Sequence, residues 1–125
     1  MSIEFDLEDV DIAIFRISGK LRLDEFEAAQ RKCEEIIKKI GHIKILVVTE
    51  EFDGWGKSEG WGDWSFADRN DSFIEKIAIV GDEEWRDLVF AFSGKGFRPV
   101  DIEYFDTGRE TAARQWLHNR EQLQG

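Results

Sequence analysis

The side chains able to do nucleophilic or proton-transfer chemistry are few in this 125-residue sequence: one cysteine, Cys33, and two histidines, His42 and His118. Cys33 falls on the apolar stripe of a helical pattern, where a thiol acts as a small core residue. His42 follows Gly41, and His118 sits in the last turn of another helical pattern. An imidazolium at either place complements the partial negative charge of a helix C-terminus. No serine, histidine and acid form a readable triad. A lone cysteine excludes an internal disulfide and a cysteine-rich metal site. Neither calcium-loop spacing nor a paired-histidine helix occurs. The sequence therefore predicts no catalytic residue, no metal and no cofactor. The remaining enzymatic option is acid or base chemistry by Glu50 or Asp82 beside an apolar pocket.

Gly56-Lys57-Ser58 has the ending of a phosphate-binding loop, but the position that needs the first glycine is Glu51. Asp53 adds negative charge where phosphate would sit, and Gly60 and Gly62 oppose a helix starting at Ser58. The acids Glu50, Glu51, Asp53, Glu59 and Asp63 read as a solvated rim. What stands out is aromatic: Phe52, Trp55, Trp61, Trp64 and Phe66 crowd one glycine-rich segment, and Trp85 follows the next strand. Two readings stay open. The rings fold the segment onto the core, or they form a hinged lid over an apolar pocket, with all six as ligand-binding residues.

The elements that must position these rings follow from periodicity. Ile3, Phe5 and Leu7 alternate with Glu4 and Asp6, and residues 10 to 18 alternate again from Val10, so the chain opens with a hairpin. Asp24 with Glu27 three residues on has the spacing of a capping box. From there Phe26, Ala29, Cys33, Ile36, Ile37 and Ile40 share a helical face that Gly41 ends. The branched run Ile43 to Val48 reads as a strand covered on both faces. Residues 51 to 64 read as a long loop, passing into a short helix near Trp64 to Arg69. Phe73 to Val80 is a strand, and Asp82 caps a helix with Trp85, Leu88, Val89 and Phe92 on one face. Phe97 to Phe105 is a strand whose Pro99 puts its early part at an edge. A last helix turns Ala112, Ala113, Trp116 and Leu117 inward.

The order β-β-α-β-α-β-α-β-α predicts an α/β fold: a single mixed, mostly parallel sheet of about five strands with an N-terminal hairpin and about four helices. Residues 1–125 are expected to form one domain, without repeat or linker. The formal charge of −10 disfavours nucleic acid and electrostatic capture by anionic lipid. Aromatic insertion still allows peripheral membrane contact. The start of the chain lacks the pattern of a signal peptide, and no stretch reaches the ~18 apolar residues of a spanning helix. These features predict a soluble, cytoplasmic protein.

Lys76-Ile77-Ala78-Ile79-Val80-Gly81-Asp82-Glu83-Glu84-Trp85, and Glu103-Tyr104-Phe105-Asp106 with Glu110, Ala113, Trp116 and Leu117, carry a resemblance. Over nearly its whole length the chain resembles the SpoIIAA-like family of the STAS superfamily, whose fold is similar to the CRAL-TRIO lipid-binding domain. The resemblance implies no enzyme activity. It implies either an apolar or lipid-like ligand or a regulatory role in which a protein partner or a second copy docks. Anti-sigma antagonists of that superfamily carry a phosphorylatable serine in an Asp-x-Ser-Gly setting. Here the place reads Val48-Thr49-Glu50-Glu51-Phe52-Asp53-Gly54, so that switch does not carry over, and Ser58 lacks the motif.

Overall fold

A computed structural model describes residues 2–119. Strands β1 (Ile3–Glu8) and β2 (Ile12–Leu21) form the hairpin, with Ile3 opposite Ile17 and Phe5 opposite Phe15. Helix α1 (Leu23–Ile40) returns the chain to β3 (Ile43–Trp55), α2 (Ser65–Asn70) leads to β4 (Ile74–Gly81), and α3 (Arg86–Ser93) leads to β5 (Asp101–Asp106). Helix α4 (Glu110–His118) ends the described fold. The five-stranded sheet has the order β1-β2-β3-β4-β5, antiparallel in the hairpin and parallel elsewhere. This is the mixed α/β architecture that the periodicity implies.

The alternation of side chains along each strand divides the molecule into two cores. Ile12, Ile14, Leu46, Val48, Ala78 and Val80 meet Ala113 and Leu117 of α4 on one face. Phe15, Ile17, Ile45, Ile77, Ile79 and Ile102 point to the other face, under Ala29, Cys33 and Ile37 of α1 and Val89 of α3. That second face carries a structural shortfall. Helices α2 and α3 have six and eight residues, about 9 and 12 Å of helix, which is too short to roof the 13-residue β3. Val47, in the middle of the central strand between Phe15 and Ile79, is only partly buried as a result.

Several expectations are corrected. The segment after Val48 continues as strand to Trp55, where Phe52 pairs with Gly19 and Trp55 with Leu21 across register shifts. Glu51 and Gly54 adopt positive φ of 52° and 87°. These irregularities break the two-residue alternation by which a strand is recognised. Asp24 is no N-cap: α1 starts at Leu23, and the Asp24 carboxylate accepts from the Glu25 N–H and the Arg22 guanidinium instead. Asp82 precedes a single 3-10 turn at Glu83–Trp85, and its carboxylate accepts from the Thr107 hydroxyl at 2.7 Å. Leu88 and Ile40 are exposed rather than inward, Ala112 is only partly buried, and Val10 lies in the hairpin turn. The stretch before Val100 is turn, with β5 beginning at Asp101.

Candidate functional site

The shortfall under α2 and α3 is a hollow of about 160 Å³. Its floor is the sheet, through Phe15, Ile17, Ile45, Val47, Ile77 and Ile79. Its walls come from Phe26 of α1, Phe66 and Ala67 of α2, Val89 and Phe92 of α3, and the aromatic segment. A cavity of similar size in an apolar core stays dry and takes benzene.

Five of the six ring residues singled out in the sequence, Phe52, Trp55, Trp61, Trp64 and Phe66, line this chamber, and Trp85 does not. Trp85 instead packs edge-on behind two of them, with ring centroids 4.9 Å from Phe52 and 6.1 Å from Trp55. The bulges explain how Phe52 and Trp55, three residues apart, both meet this ring. Two rings that the sequence did not single out, Phe26 and Phe92, complete the wall. Phe92 stands 5.2 Å from Trp55 and 5.7 Å from both Trp61 and Phe26. Both residues lie on apolar helix stripes, which signal burial but not the neighbour across the chain. Offset and edge-to-face contacts of this kind hold rings in place.

The segment that carries the indoles is anchored at several points. The Trp61 indole N–H donates to the Gly56 carbonyl at 2.6 Å, and the Gly56 N–H donates to the Leu21 carbonyl at 2.7 Å. Gly60 lies so close to α1 that a Cβ there would come within 2.7 Å of Leu23. Trp64 lies over the bare backbone of Gly94, where a Cβ would sit 2.8 Å from its ring, and yet is 45% exposed. The rings are thus neither all sealed inside the protein nor all free. Among the described residues, the buried indole N–H groups of Trp55 and Trp85 have no acceptor.

Polar groups in the chamber wall are mostly engaged. Thr49 donates its hydroxyl to the Val80 carbonyl at 3.0 Å. Arg98 grips Asp71 through two nitrogens at 3.0 and 2.6 Å and the Ser93 carbonyl at 2.9 Å, tying the loop after α3 to the turn between α2 and β4. Asp63 accepts from the Ser65 N–H at 2.9 Å, which with the Ser65 side chain holds its carboxyl below the usual range. Glu50 and Asp82, the acids considered for proton transfer, are exposed and outside the chamber. Cys33 is buried in the α1 stripe, and burial pushes its thiol up to about 12, away from nucleophilic use. His42 packs edge-on to Phe73, while His118 lies 3.3 Å from Asp9. Among the described residues no cluster of His, Cys, Asp and Glu side chains is arranged to hold a metal ion. Nor is any helix among them long and apolar enough to cross a membrane.

The sequence profile of the SpoIIAA-like family matches residues 12–118. Among solved structures, the chain is similar to an uncharacterised protein of the DUF3478 family with a SpoIIAA-like fold from Shewanella loihica PV-4. The two share 23% identity over 92% of this chain and 91% of that one, with a TM-score of 0.69. No curated protein matches the sequence significantly.

Proposed function

The chain belongs to the SpoIIAA-like family, and from that premise we propose that it is a non-enzymatic binding module for an apolar or lipid-like ligand. The ligand occupies the hollow between the sheet and the 51 to 66 segment, against Phe52, Trp55, Trp61, Trp64 and Phe66, with Trp85 bracing the wall. The observation that carries this reading is Val47, a central-strand valine that only partly escapes water although it lies between two buried strand neighbours. Covering apolar surface of this kind is worth about 25 cal/mol per Å², so an apolar occupant stabilises the bound form.

Denaturing mass spectrometry of organic extracts of the purified protein tests the reading. A retained apolar compound is expected in the wild type and absent from Val47→Phe, in which a ring fills the hollow. Empty extracts, with tryptophan emission unmoved by benzene, short amphiphiles and vesicles, reject it.

A second reading rests on rings that reach solvent, one of them outside the chamber. Phe97 is 94% exposed and Trp64 45%, and exposed aromatics with charges around them are common at protein interfaces. In that reading a protein partner or a second copy docks here, as in STAS-type regulation. Sedimentation of the wild type against Phe97→Ser tests self-association: a dimer lost in the variant supports it, and a monomer in both removes the second copy.

A further inference from the structure

The apolar chamber abuts a second, polar hollow lined by Glu27, Gln30, Arg31, Glu34, Ser65 and Arg69, and the two share Gln30, Asp63 and Phe66. The junction lies where α1 faces α2. Inside the chamber, Thr49 and Arg98 have their hydrogen bonds made. A polar group on a ligand therefore finds open partners at the junction. The Gln30 amide has no hydrogen-bond partner among the described residues and offers both a donor and an acceptor.

The charges at this junction are unbalanced. Arg69 is held by both oxygens of Glu34, at 2.8 and 3.1 Å, and Glu34 also accepts from Asn70 at 3.0 Å. Arg69 also acts on the Asp63 carboxylate. Across the lining three carboxylates, Glu27, Glu34 and Asp63, stand against two guanidiniums, Arg31 and Arg69, which leaves one net negative charge in a protein of net charge −10. A negatively charged head brought here meets like charge, and that repulsion discriminates against it.

Resting on the ligand-binding reading above, we propose that the ligand is a short-tailed amphiphile whose head is a hydrogen-bond donor without negative charge. Primary amides, alcohols and amines fit; carboxylates and phosphates do not. The tail fills the chamber, whose size suits roughly six carbons, that of the benzene taken by a comparable cavity. The head lies between α1 and α2, against Gln30, Glu27 and Asp63.

Tryptophan emission of the full chain at pH 7 is titrated with hexanamide, hexylamine, hexanoate and the headless probe benzene. The same series is run on the double variant Glu27→Gln, Asp63→Asn, whose second substitution keeps an oxygen for the Ser65 N–H. Hexanamide is expected to bind the wild type at least about tenfold more tightly than hexanoate, and the gap to narrow to about threefold or less in the variant. Hexanoate binding as well as hexanamide overturns the proposal. An unchanged gap in the variant also overturns it, because hydration of the anion then sets the preference rather than these carboxylates. In both cases benzene still binds, and the apolar chamber stands. If benzene and every amphiphile leave the emission unmoved, the ligand-binding reading itself fails.

Discussion

Val47 marks where the sheet is left without cover. A larger apolar side chain at this position grows into empty space rather than into packed neighbours. Val47→Leu is therefore expected to raise stability by about 0.8 kcal/mol, the worth of one buried methylene, whereas a similar insertion into a filled core destabilises. Chemical denaturation with an unchanged m-value checks this. Glu34 supplies a second prediction. The Arg69 guanidinium, with Asn70, holds its carboxyl at about 2 against an ordinary 4.5. A depressed folded-state pKa contributes stability that is present above pH 4.5 and lost as pH falls toward 2. The melting temperature of the wild type should exceed that of Glu34→Gln near neutrality and converge with it over that acidic window. A gap that persists at pH 2 contradicts the assignment. At this scale the sequence was legible for ring identity but not for ring adjacency. Phe52, Trp55, Trp61, Trp64 and Phe66 declared themselves by crowding, whereas Phe26 and Phe92 resembled any other core residues until the chain was folded.

At the scale of elements, the long strands and α1 were readable because their periods of two and about 3.6 are sustained. Two of the failures share a cause: side-chain hydrogen bonds that compete with the expected cap. Asp24 bonds to the guanidinium of Arg22 and its neighbour's N–H, and Asp82 to Thr107, so neither caps as its spacing implied. The end of β3 was hidden by bulges at Glu51 and Gly54, which no local rule separates from a loop. Two tight places hold these elements. Gly94 ends α3 with φ of +79° under the Trp64 ring. Gly94→Ala combines left-handed strain with a clash and is expected to cost at least about 1 kcal/mol and to shift the exposure of Trp64, read by acrylamide quenching. Arg98 and Asp71 form an ion pair with side chains only 13% exposed. Arg98→Met leaves the Asp71 carboxylate uncompensated and is expected to cost about 3 kcal/mol, with much of it recovered by adding Asp71→Leu. A double-mutant cycle without coupling contradicts that role.

For the whole molecule, the chamber follows from topology. The three parallel connections carry α1, α2 and α3, which serve one face of the sheet, and α4 closes the other. The crowded face is nonetheless underfilled at its centre, because two of its three helices are short. Aromatic rings from the 51 to 66 segment cover the gap at its edge without filling it. The succession of strands and helices along the chain was visible in the sequence, but an underfilled centre depends on how long each helix is and where it lands on the sheet, which residue patterns do not encode. The central claim is that this space is empty of protein and open to apolar matter. A crystal of the protein pressurised with xenon tests it most directly, since xenon enters dry apolar cavities without needing a hydrogen bond. The account predicts a xenon peak between Val47 on β3 and Phe66 on α2, absent in Val47→Phe. A wild-type crystal with no xenon there, and aromatic side chains occupying the space, contradicts it.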